Sequence, residues 1–437
     1  MLDINIKEQL ISLLHSEVKP ALGCTEPVAV SLAVAAASER LKEIGIETDR
    51  IFVEVSPNIM KNGMGVGIPG TGMVGLKIAA ALGSVCGKSA YKLEVLKDVD
   101  KEAVSKAKSL LPYVTLRVSD NGILLYIRAI CYGTDAEGSE HSARAIIEYN
   151  HDSIVLVERD GKVLYATEEA KGGITVGSEK EEHPKTPGLK EIWEFATTAD
   201  FEEIKFILEA AKMNNALAKE GMNHCYGLQV GRTIASESNS EVYGNGVFRY
   251  AMALTAAASD ARMAGCPLPA MSNSGSGNQG ITVTMPVVAV AEKMEASEEQ
   301  LARALIIAHL TAIHIKSHLG KLSALCGCVI ASTGASCGIV YLRGGSFDQI
   351  CYAVKNMIGN ITGMVCDGAK TGCALKVASG VSSAMQSAIL ALNGICISCN
   401  DGIIDSDTEK CIENLGDIGS KGMVMTDNMI LRIMENK

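Results

Sequence analysis

The stretch MSNSGSGNQGITVTMPVVAV, residues 271–290, joins a polar, glycine-rich loop directly to an apolar helix. The same alternation runs through the chain after about residue 198, where long helices rich in Ala, Leu and Met are separated by glycine-rich polar loops. Upstream, segments such as IFVEV, residues 51–55, alternate apolar and polar side chains, which is typical of half-buried strands. The sequence therefore predicts an α+β fold, with a large, predominantly helical domain and a smaller α/β domain.

The helical domain is predicted to be discontinuous, with residues 1–44 packing against residues 200–437. The α/β domain then spans residues 45–199, and a charged, turn-rich connector lies near residues 177–188. Within the α/β domain the patterns predict strands at 51–55, 91–96, 114–119, 123–131 and 153–158, and helices near 73–83, 100–110 and 138–149.

The composition excludes several classes of protein. The chain has 437 residues and a formal net charge of −10, whereas a nucleic-acid-binding surface needs clustered basic residues. No apolar run reaches the roughly 18 residues that span a bilayer, so no membrane segment is expected. The N-terminus lacks a secretory signal pattern, so the 14 cysteines are interpreted as cytosolic thiols or metal ligands. We expect a cytoplasmic protein that acts on a small molecule; a homodimer is compatible with its alanine-rich helices.

Three cysteines, Cys326, Cys366 and Cys373, each lie beside or close to a glycine in a context of small residues. Three thiolates can hold a four-iron cluster and leave one iron without a protein ligand, and that iron could act as a Lewis acid on a substrate. Their spacing differs from the close C-x-x-C pattern of zinc and ferredoxin sites. Taken alone, the three cysteines are also compatible with small buried hydrophobic residues.

Other cysteines compete for the same interpretation. Cys328 lies two residues from Cys326, so spacing does not decide which of the two is a ligand. Cys396 and Cys399 form the one C-x-x-C pair, which by pattern is a better zinc or redox motif, but it lacks a second pair or a nearby histidine.

Cys24 follows Gly23 and precedes Thr25, with Pro27 in the first turn of a predicted helix. A thiol at a helix N-terminus is close to the positive end of the macrodipole, which is expected to lower its pKa and favour the thiolate. Such a thiolate can remove a proton from carbon. The alternative is an inert, packed cysteine.

Two polar segments are candidates for binding a substrate. Residues 58–62 and the glycines after them are interpreted as a polar loop in which Lys61 could pair with a carboxylate; the alternative is a surface lysine. In the loop at 271–280, backbone N–H groups beside a helix N-terminus would form an anion site, unless the loop is flexible and exposed. Three histidines, at 309, 314 and 318, have poor spacing for a shared metal, and a core or pocket-lining role is expected.

Taken together, these segments resemble the L-cysteine desulfidases, which are related to the α-domain of iron–sulfur L-serine dehydratases. The resemblance runs nearly end to end. It rests on VKPALGCTEP at 18–27, SPNIMKNG at 56–63, PGTG at 69–72, SDARM at 259–263, the loop at 272–280, LSALC at 322–326 and GMVCDGA at 363–369.

The resemblance implies a 4Fe–4S cluster bound by Cys326, Cys366 and Cys373, with Cys24 as the catalytic base. The resemblance places the cluster-binding cysteine in LSALC, which is Cys326, so Cys328 is expected to be a neighbour of the site. Cys396 and Cys399 are not part of the shared pattern and are not assigned a role in the site. The substrate carboxylate and amino groups are expected to be held by residues of the two polar segments: Asn58, Lys61, Asn62, Ser272, Asn273, Ser274, Ser276, Asn278 and Gln279.

The implied reaction is that of a carbon–sulfur lyase in cysteine catabolism. L-cysteine and water give pyruvate, ammonia and hydrogen sulfide by non-redox β-elimination, and the released aminoacrylate hydrolyses unaided. The nearest alternative is iron–sulfur L-serine dehydratase, in which hydroxide leaves. A non-catalytic cluster or thiol sensor is a second alternative, and a third is that all 14 cysteines are structural.

Overall fold

Two buried apolar cores organise the protein, one in an α/β part and one in a helical part. The computed structural model describes residues 2–168, 186–320 and 323–436. The predicted connector at 177–188 lies outside the described residues except for its last three positions. The predicted α+β fold with a large helical domain is confirmed.

The first part of the chain alternates helices and strands. Its helices are α1 Ile4–Glu17, α2 Thr25–Lys42, α3 Pro57–Gly63, α4 Leu76–Val85 and α5 Lys101–Leu110. Its strands are β1 Pro20–Ala21, β2 Arg50–Val55, β3 Gly67–Ile68, β4 Met73–Val74, β5 Val114–Val118, β6 Tyr126–Thr134, β7 Glu140–Glu148, β8 Ile154–Arg159 and β9 Lys162–Ala166.

Six of these strands form a mixed sheet in the order β5-β2-β6-β7-β8-β9. Strands β2 and β5 are parallel, and the other neighbours are antiparallel. Two predictions were wrong in this region. Residues 138–149 form strand β7 rather than a helix, because Ala143, Ala145 and Ile147 alternate inward and the strand pairs with β6 along its length. Residues 91–96, predicted as a strand, fall mostly in the 3₁₀ turn Ser89–Glu94.

The two N-terminal helices pack in different places. Helix α2 is buried almost all round and packs on α4 and across β6 and β7. Its small residues allow close contact with α4, where a Cβ on Gly83 would lie 2.4 Å from the Ser31 carbonyl oxygen. Helix α1 instead buries Leu10 and Leu14 in the helical core. The domain boundaries at 44/45 and 199/200 stay a prediction, although α2 shares its core with the sheet.

The rest of the chain is almost entirely helical. Its elements are α6 Leu189–Thr198, α7 Phe201–Ile204, α8 Leu208–Asn223, α9 Val230–Ala235, α10 Ser240–Tyr243, α11 Val247–Met263, β10 Ala270–Met271, α12 Gly277–Lys293, α13 Glu298–Leu319, α14 Gly327–Leu342, α15 Phe347–Ile361, α16 Cys373–Leu392, α17 Thr408–Asp417 and α18 Val424–Glu435.

Helices α11, α12 and α14 form the centre of this part and are buried on most sides, and α16 packs against α11 and α14. Small residues set their spacing: a Cβ on Gly221 of α8 would lie 2.0 Å from the Ala257 carbonyl oxygen of α11. Strand β10 pairs antiparallel with β1, so the chain just before Cys24 is fixed to the loop that begins at Met271. This pairing connects the two halves at the candidate site.

The sequence analysis expected no segment long and apolar enough to span a bilayer, and one of the described helices passes that test. Among the described residues, α16 is long and apolar enough to cross a bilayer by length and composition. More than half of its most apolar window is buried against neighbouring helices, which is also how the core helix of a folded domain behaves.

Candidate active site

Two of the three predicted ligands are brought together by backbone pairing. Leu325 and Val365 form an antiparallel bridge, and the Cys366 N–H donates to the Ala324 carbonyl at 2.6 Å. The side chains of Cys326 and Cys366 share a hydrogen bond. That bond, together with the positive charge of Lys61, lowers the pKa of Cys366 although burial opposes the shift. The two thiols therefore lie side by side.

Cys373 reaches the same place through the loop 366–373. It is the first residue of α16, so its thiol lies at a helix N-terminus. Asp367 ties the loop together, because Lys370 and Lys376 both pair with its carboxylate. Gly368, at φ +91°, passes so close to α3 that a Cβ there would lie 2.1 Å from the Lys61 carbonyl oxygen. The loop therefore places Cys366 and Cys373 beside α3.

Cys24 approaches the trio from the other part of the chain. It is the N-cap residue of α2, and with Val66 and Met263 it forms a small buried apolar cluster. Cys373 and Ala369 pack against this cluster. Cys24, Cys326 and the loop 366–373 are distant from one another in sequence but lie in one region of the structure.

The electrostatic surroundings of Cys24 differ from the sequence expectation. Its Sγ donates to Glu26 Oε2 at 2.8 Å. Burial and the Glu26 carboxylate raise the pKa of Cys24 well above its usual value, and the nearby Arg262 offsets only part of this. The prediction that the helix N-terminus lowers the pKa of Cys24 is wrong for the chain by itself, because burial of the thiol and the nearby Glu26 carboxylate both raise it.

Glu26 is the centre of a small hydrogen-bond network. Besides Cys24, its carboxylate accepts hydrogen bonds from Thr25 Oγ1 at 3.2 Å and Asn62 Nδ2 at 3.1 Å. Burial would raise the pKa of Glu26, but His151, the Cys24 hydrogen bond and Arg262 together lower it. Glu26 is therefore a carboxylate held beside the candidate base.

The segment that contains Lys61 is a short helix rather than the predicted loop. Pro57 occupies its first turn, where its missing N–H costs nothing. Lys61 is only 3% exposed, and its Nζ pairs with Asp427 Oδ1 of α18 at 2.5 Å. Asn58 is buried on the same helix. The surface-lysine alternative is excluded by the burial of Lys61.

The polar loop at 271–280 is ordered by its own side chains. Ser272 donates to the Lys19 carbonyl and Ser274 to Asn273, Ser276 caps α12, and Gln279 Nε2 donates to Asn273 Oδ1 at 2.8 Å. The flexible-loop alternative is therefore wrong. Asn278 differs from the others because its Oδ1 accepts a hydrogen bond from Arg262 Nη1 at 3.3 Å.

Arg262 connects that loop to Cys24. It is 4% exposed, and its Nη2 donates to the Gly23 carbonyl at 2.9 Å. A Cβ at Gly277 would lie 2.3 Å from Arg262 Nε, so a larger residue there would displace the Arg262 side chain. The sequence prediction missed Arg262, Glu26 and Asp427 as site residues. Arg262 and Glu26 lie in the segments SDARM and GCTEP, which the sequence analysis singled out. Their side-chain partners could not be predicted, because they depend on tertiary contacts.

A buried histidine lies beneath the loop. His309 is fully buried, and Asn273 Nδ2 donates to its Nδ1 at 3.1 Å, so the ring proton lies on Nε2 and faces Thr284. Burial lowers the pKa of His309 to about 3. His314 is also buried and pairs with Glu409. Both histidines have the core role that the sequence predicted.

We expect His309 to make the protein less stable in mild acid. The folded pKa of His309, about 3, is below its unfolded value of about 6.5. Below about pH 6.5 the unfolded chain therefore binds a proton that the folded protein does not, and the free energy of unfolding decreases as the pH falls toward the folded pKa. The loss approaches about 1.4 kcal/mol per pH unit within that window. Urea unfolding at pH 7, 6 and 5 measures it. His309→Gln should flatten the pH dependence, whereas the exposed His224→Gln should leave it as in the wild type.

Cys328 is a close neighbour of Cys326 and Cys373, whose charges interact with its thiol, but it makes its own hydrogen bond elsewhere. Cys328 faces α16, where its Sγ donates to the Lys376 carbonyl at 3.1 Å and would collide with any Cβ on Gly380. Cys396 and Cys399 follow the end of α16, with Cys399 exposed. Within the described ranges no three His, Cys, Asp or Glu side chains are placed to hold a single metal ion.

The donor set is chemically suited to an iron–sulfur group, because such groups are bound by cysteine thiolates. Cys326 and Cys373 lie at the N-termini of α14 and α16, and Lys61 and Lys376 lie close to Cys366. Helix N-termini and lysines both stabilise thiolates.

Comparison with known proteins identifies the family. The profile of the serine dehydratase alpha chain matches residues 90–432, which include the three clustered cysteines. The chain belongs to the serine dehydratase alpha chain family. This membership suggests a serine dehydratase-like lyase and an association with iron–sulfur chemistry.

Two relatives align with this chain over nearly its whole length. A UPF0597 protein of Phocaeicola vulgatus is 49% identical over 435 residues, covering 99% of this chain and 98% of its own. A UPF0597 protein of Oleidesulfovibrio alaskensis is 50% identical over 429 residues, covering 98% and 97%. These alignments extend across both the α/β part and the helical part.

Proposed function

We propose that this protein is an L-cysteine desulfidase, which converts L-cysteine and water to pyruvate, ammonia and hydrogen sulfide by β-elimination. Cys326, Cys366 and Cys373 would hold a 4Fe–4S cluster. When bound, the cluster would supply an iron without a protein ligand, a Lewis acid that stabilises the departing sulfur. The observation that carries the proposal is the convergence of Cys24 with the three clustered cysteines.

Cys24 is proposed to remove the Cα proton of the substrate. It lies at the start of α2, and the Arg262 hydrogen bond to the Gly23 carbonyl fixes the turn just before it. Burial around Val66 and Met263 excludes water from the thiol. A general base held in this way contributes through position as well as basicity.

The substrate carboxylate needs a cation, and Lys61 is proposed to provide it. Lys61 lies next to the loop that carries Cys366 and Cys373, and its positive charge lowers the pKa of Cys366. Asp427 holds the Nζ of Lys61 in the structure, so a substrate carboxylate would replace or share that contact. Asn58, Asn62 and the polar residues of the loop at 271–280 are proposed to shape the same pocket.

L-serine dehydratase is the second candidate, and the family name favours it. The two reactions share their first step and differ in the leaving group. Three cysteine thiolates make a soft donor set, and a thiolate substrate is a softer iron ligand than a hydroxyl group, which favours cysteine.

The deciding experiment compares the two amino acids with anaerobically purified protein. We expect sulfide and pyruvate in equal amounts from L-cysteine, with a higher kcat/KM than for pyruvate release from L-serine. A higher kcat/KM for L-serine would assign the protein as a serine dehydratase. Turnover of neither amino acid would contradict the lyase proposal and leave the sensor alternative.

A further inference from the structure

Among the described residues the carboxylate of Glu26 forms no direct ion pair, although His151 and Arg262 lie near enough to lower its pKa. Its three hydrogen-bond donors from other residues, Cys24 Sγ, Thr25 Oγ1 and Asn62 Nδ2, are all neutral. The nearby Arg262 gives its hydrogen bonds to Gly23 and Asn278 instead. A partly buried carboxylate whose hydrogen-bond donors are all neutral favours the binding of a further, directly bonded cation.

The substrate class of the proposed function carries such a cation. An α-amino acid is a zwitterion, so its site needs an anion for the ammonium group as well as a cation for the carboxylate. Lys61 is the cation, and Asn62, the next residue, hydrogen-bonds Glu26 Oε1 at 3.1 Å. Asn62 therefore links Glu26 to the helix that carries Lys61.

The geometry of proton removal places the ammonium group near Glu26. Cys24 Sγ must approach the Cα hydrogen, and the ammonium nitrogen is bonded to that same carbon. Because Sγ is 2.8 Å from Glu26 Oε2, a substrate held against Cys24 brings its nitrogen toward the same oxygen. As a thiolate, Cys24 has no proton to donate, so Oε2 then has room for a new donor.

We propose that Glu26 binds the ammonium group of the substrate and thereby selects α-amino acids over thiols that lack an amino group. The bound cation also offsets the negative charge that Glu26 places beside Cys24. This inference rests on the proposed function in one respect, namely that Cys24 takes the Cα proton.

The test compares L-cysteine with 3-mercaptopropionate, which keeps the thiol and carboxylate but lacks the amino group. In Glu26→Gln holoenzyme the KM for L-cysteine should rise by roughly 10- to 100-fold, the usual effect of losing a charge-assisted hydrogen bond. The inhibition constant of 3-mercaptopropionate should stay unchanged or fall. Glu26→Asp, which keeps the charge, should recover part of the preference, and Glu39→Gln, on the same helix but bonded to Ser89, should match the wild type.

A parallel rise for both ligands, or no change in the KM for L-cysteine, would overturn the proposal. If Glu26→Gln shows no turnover, calorimetric binding of both ligands to iron-loaded Cys24→Ser and Cys24→Ser/Glu26→Gln proteins gives the same comparison. If the wild type releases no sulfide, L-serine and 3-hydroxypropionate replace the pair. Loss of preference with those ligands would support the role of Glu26 while the desulfidase proposal fails.

Discussion

Replacing Cys24 by serine is expected to lower turnover of L-cysteine by roughly 10²- to 10⁴-fold, the usual contribution of a general base. A serine hydroxyl is far less acidic than a thiol, so it supplies almost no anion to remove the Cα proton. Serine is close in size and can still donate to Glu26 Oε2, so the buried surroundings should persist. Iron content and visible absorbance should therefore equal those of the wild type.

The measurement is kcat for sulfide release, with iron determined on the same anaerobic sample. Cys266→Ser is a suitable control, because Cys266 is also buried but belongs to the helical core and not to the Cys24 cluster. Unchanged turnover in Cys24→Ser would show that Cys24 is not the base. Loss of iron together with turnover would instead indicate that Cys24 contributes to the cluster site.

Replacing Cys366 by alanine is expected to abolish iron loading and turnover together. Cys366 shares a hydrogen bond with Cys326 and lies in the loop that ends at Cys373, so its removal takes away one of the three thiolates. Only two thiolates would then remain, so two of the four irons of the proposed cluster would have no protein ligand. Anaerobically purified Cys366→Ala should be colourless, whereas the wild type should be brown.

The matched control is Cys328→Ala, two residues from a proposed ligand. Cys328 donates to the Lys376 carbonyl and packs at Gly380, so it does not face Cys366. This variant should retain iron and turnover while losing some stability, because a buried thiol is removed. Full iron in Cys366→Ala, or loss of iron in Cys328→Ala but not in Cys366→Ala, would contradict the ligand assignment.

Local sequence patterns predicted many helices and strands, and they failed where pairing outweighed composition. Residues 138–149 contain Ala and Glu, which favour a helix, yet their period-two burial against α2 places them in the sheet as β7. Residues 57–63 contain glycine and asparagine, which suggested a loop, but Pro57 starts a short helix that packs against the 366–373 loop.

The sequence by itself determined which residues can carry the chemistry. Cysteines beside glycines, a cysteine before a helix start and a polar loop before an apolar helix are local features, because backbone conformation and helix capping depend on near neighbours.

Only the tertiary structure decided how those residues face one another. The pairing of Leu325 with Val365 brings Cys326 to Cys366 and leaves Cys328 facing α16. Long-range packing places Glu26 against Asn62 and Asp427 against Lys61, and it reverses the expected pKa shift of Cys24. Burial and charge depend on what lies across the fold, and no local pattern contains that information.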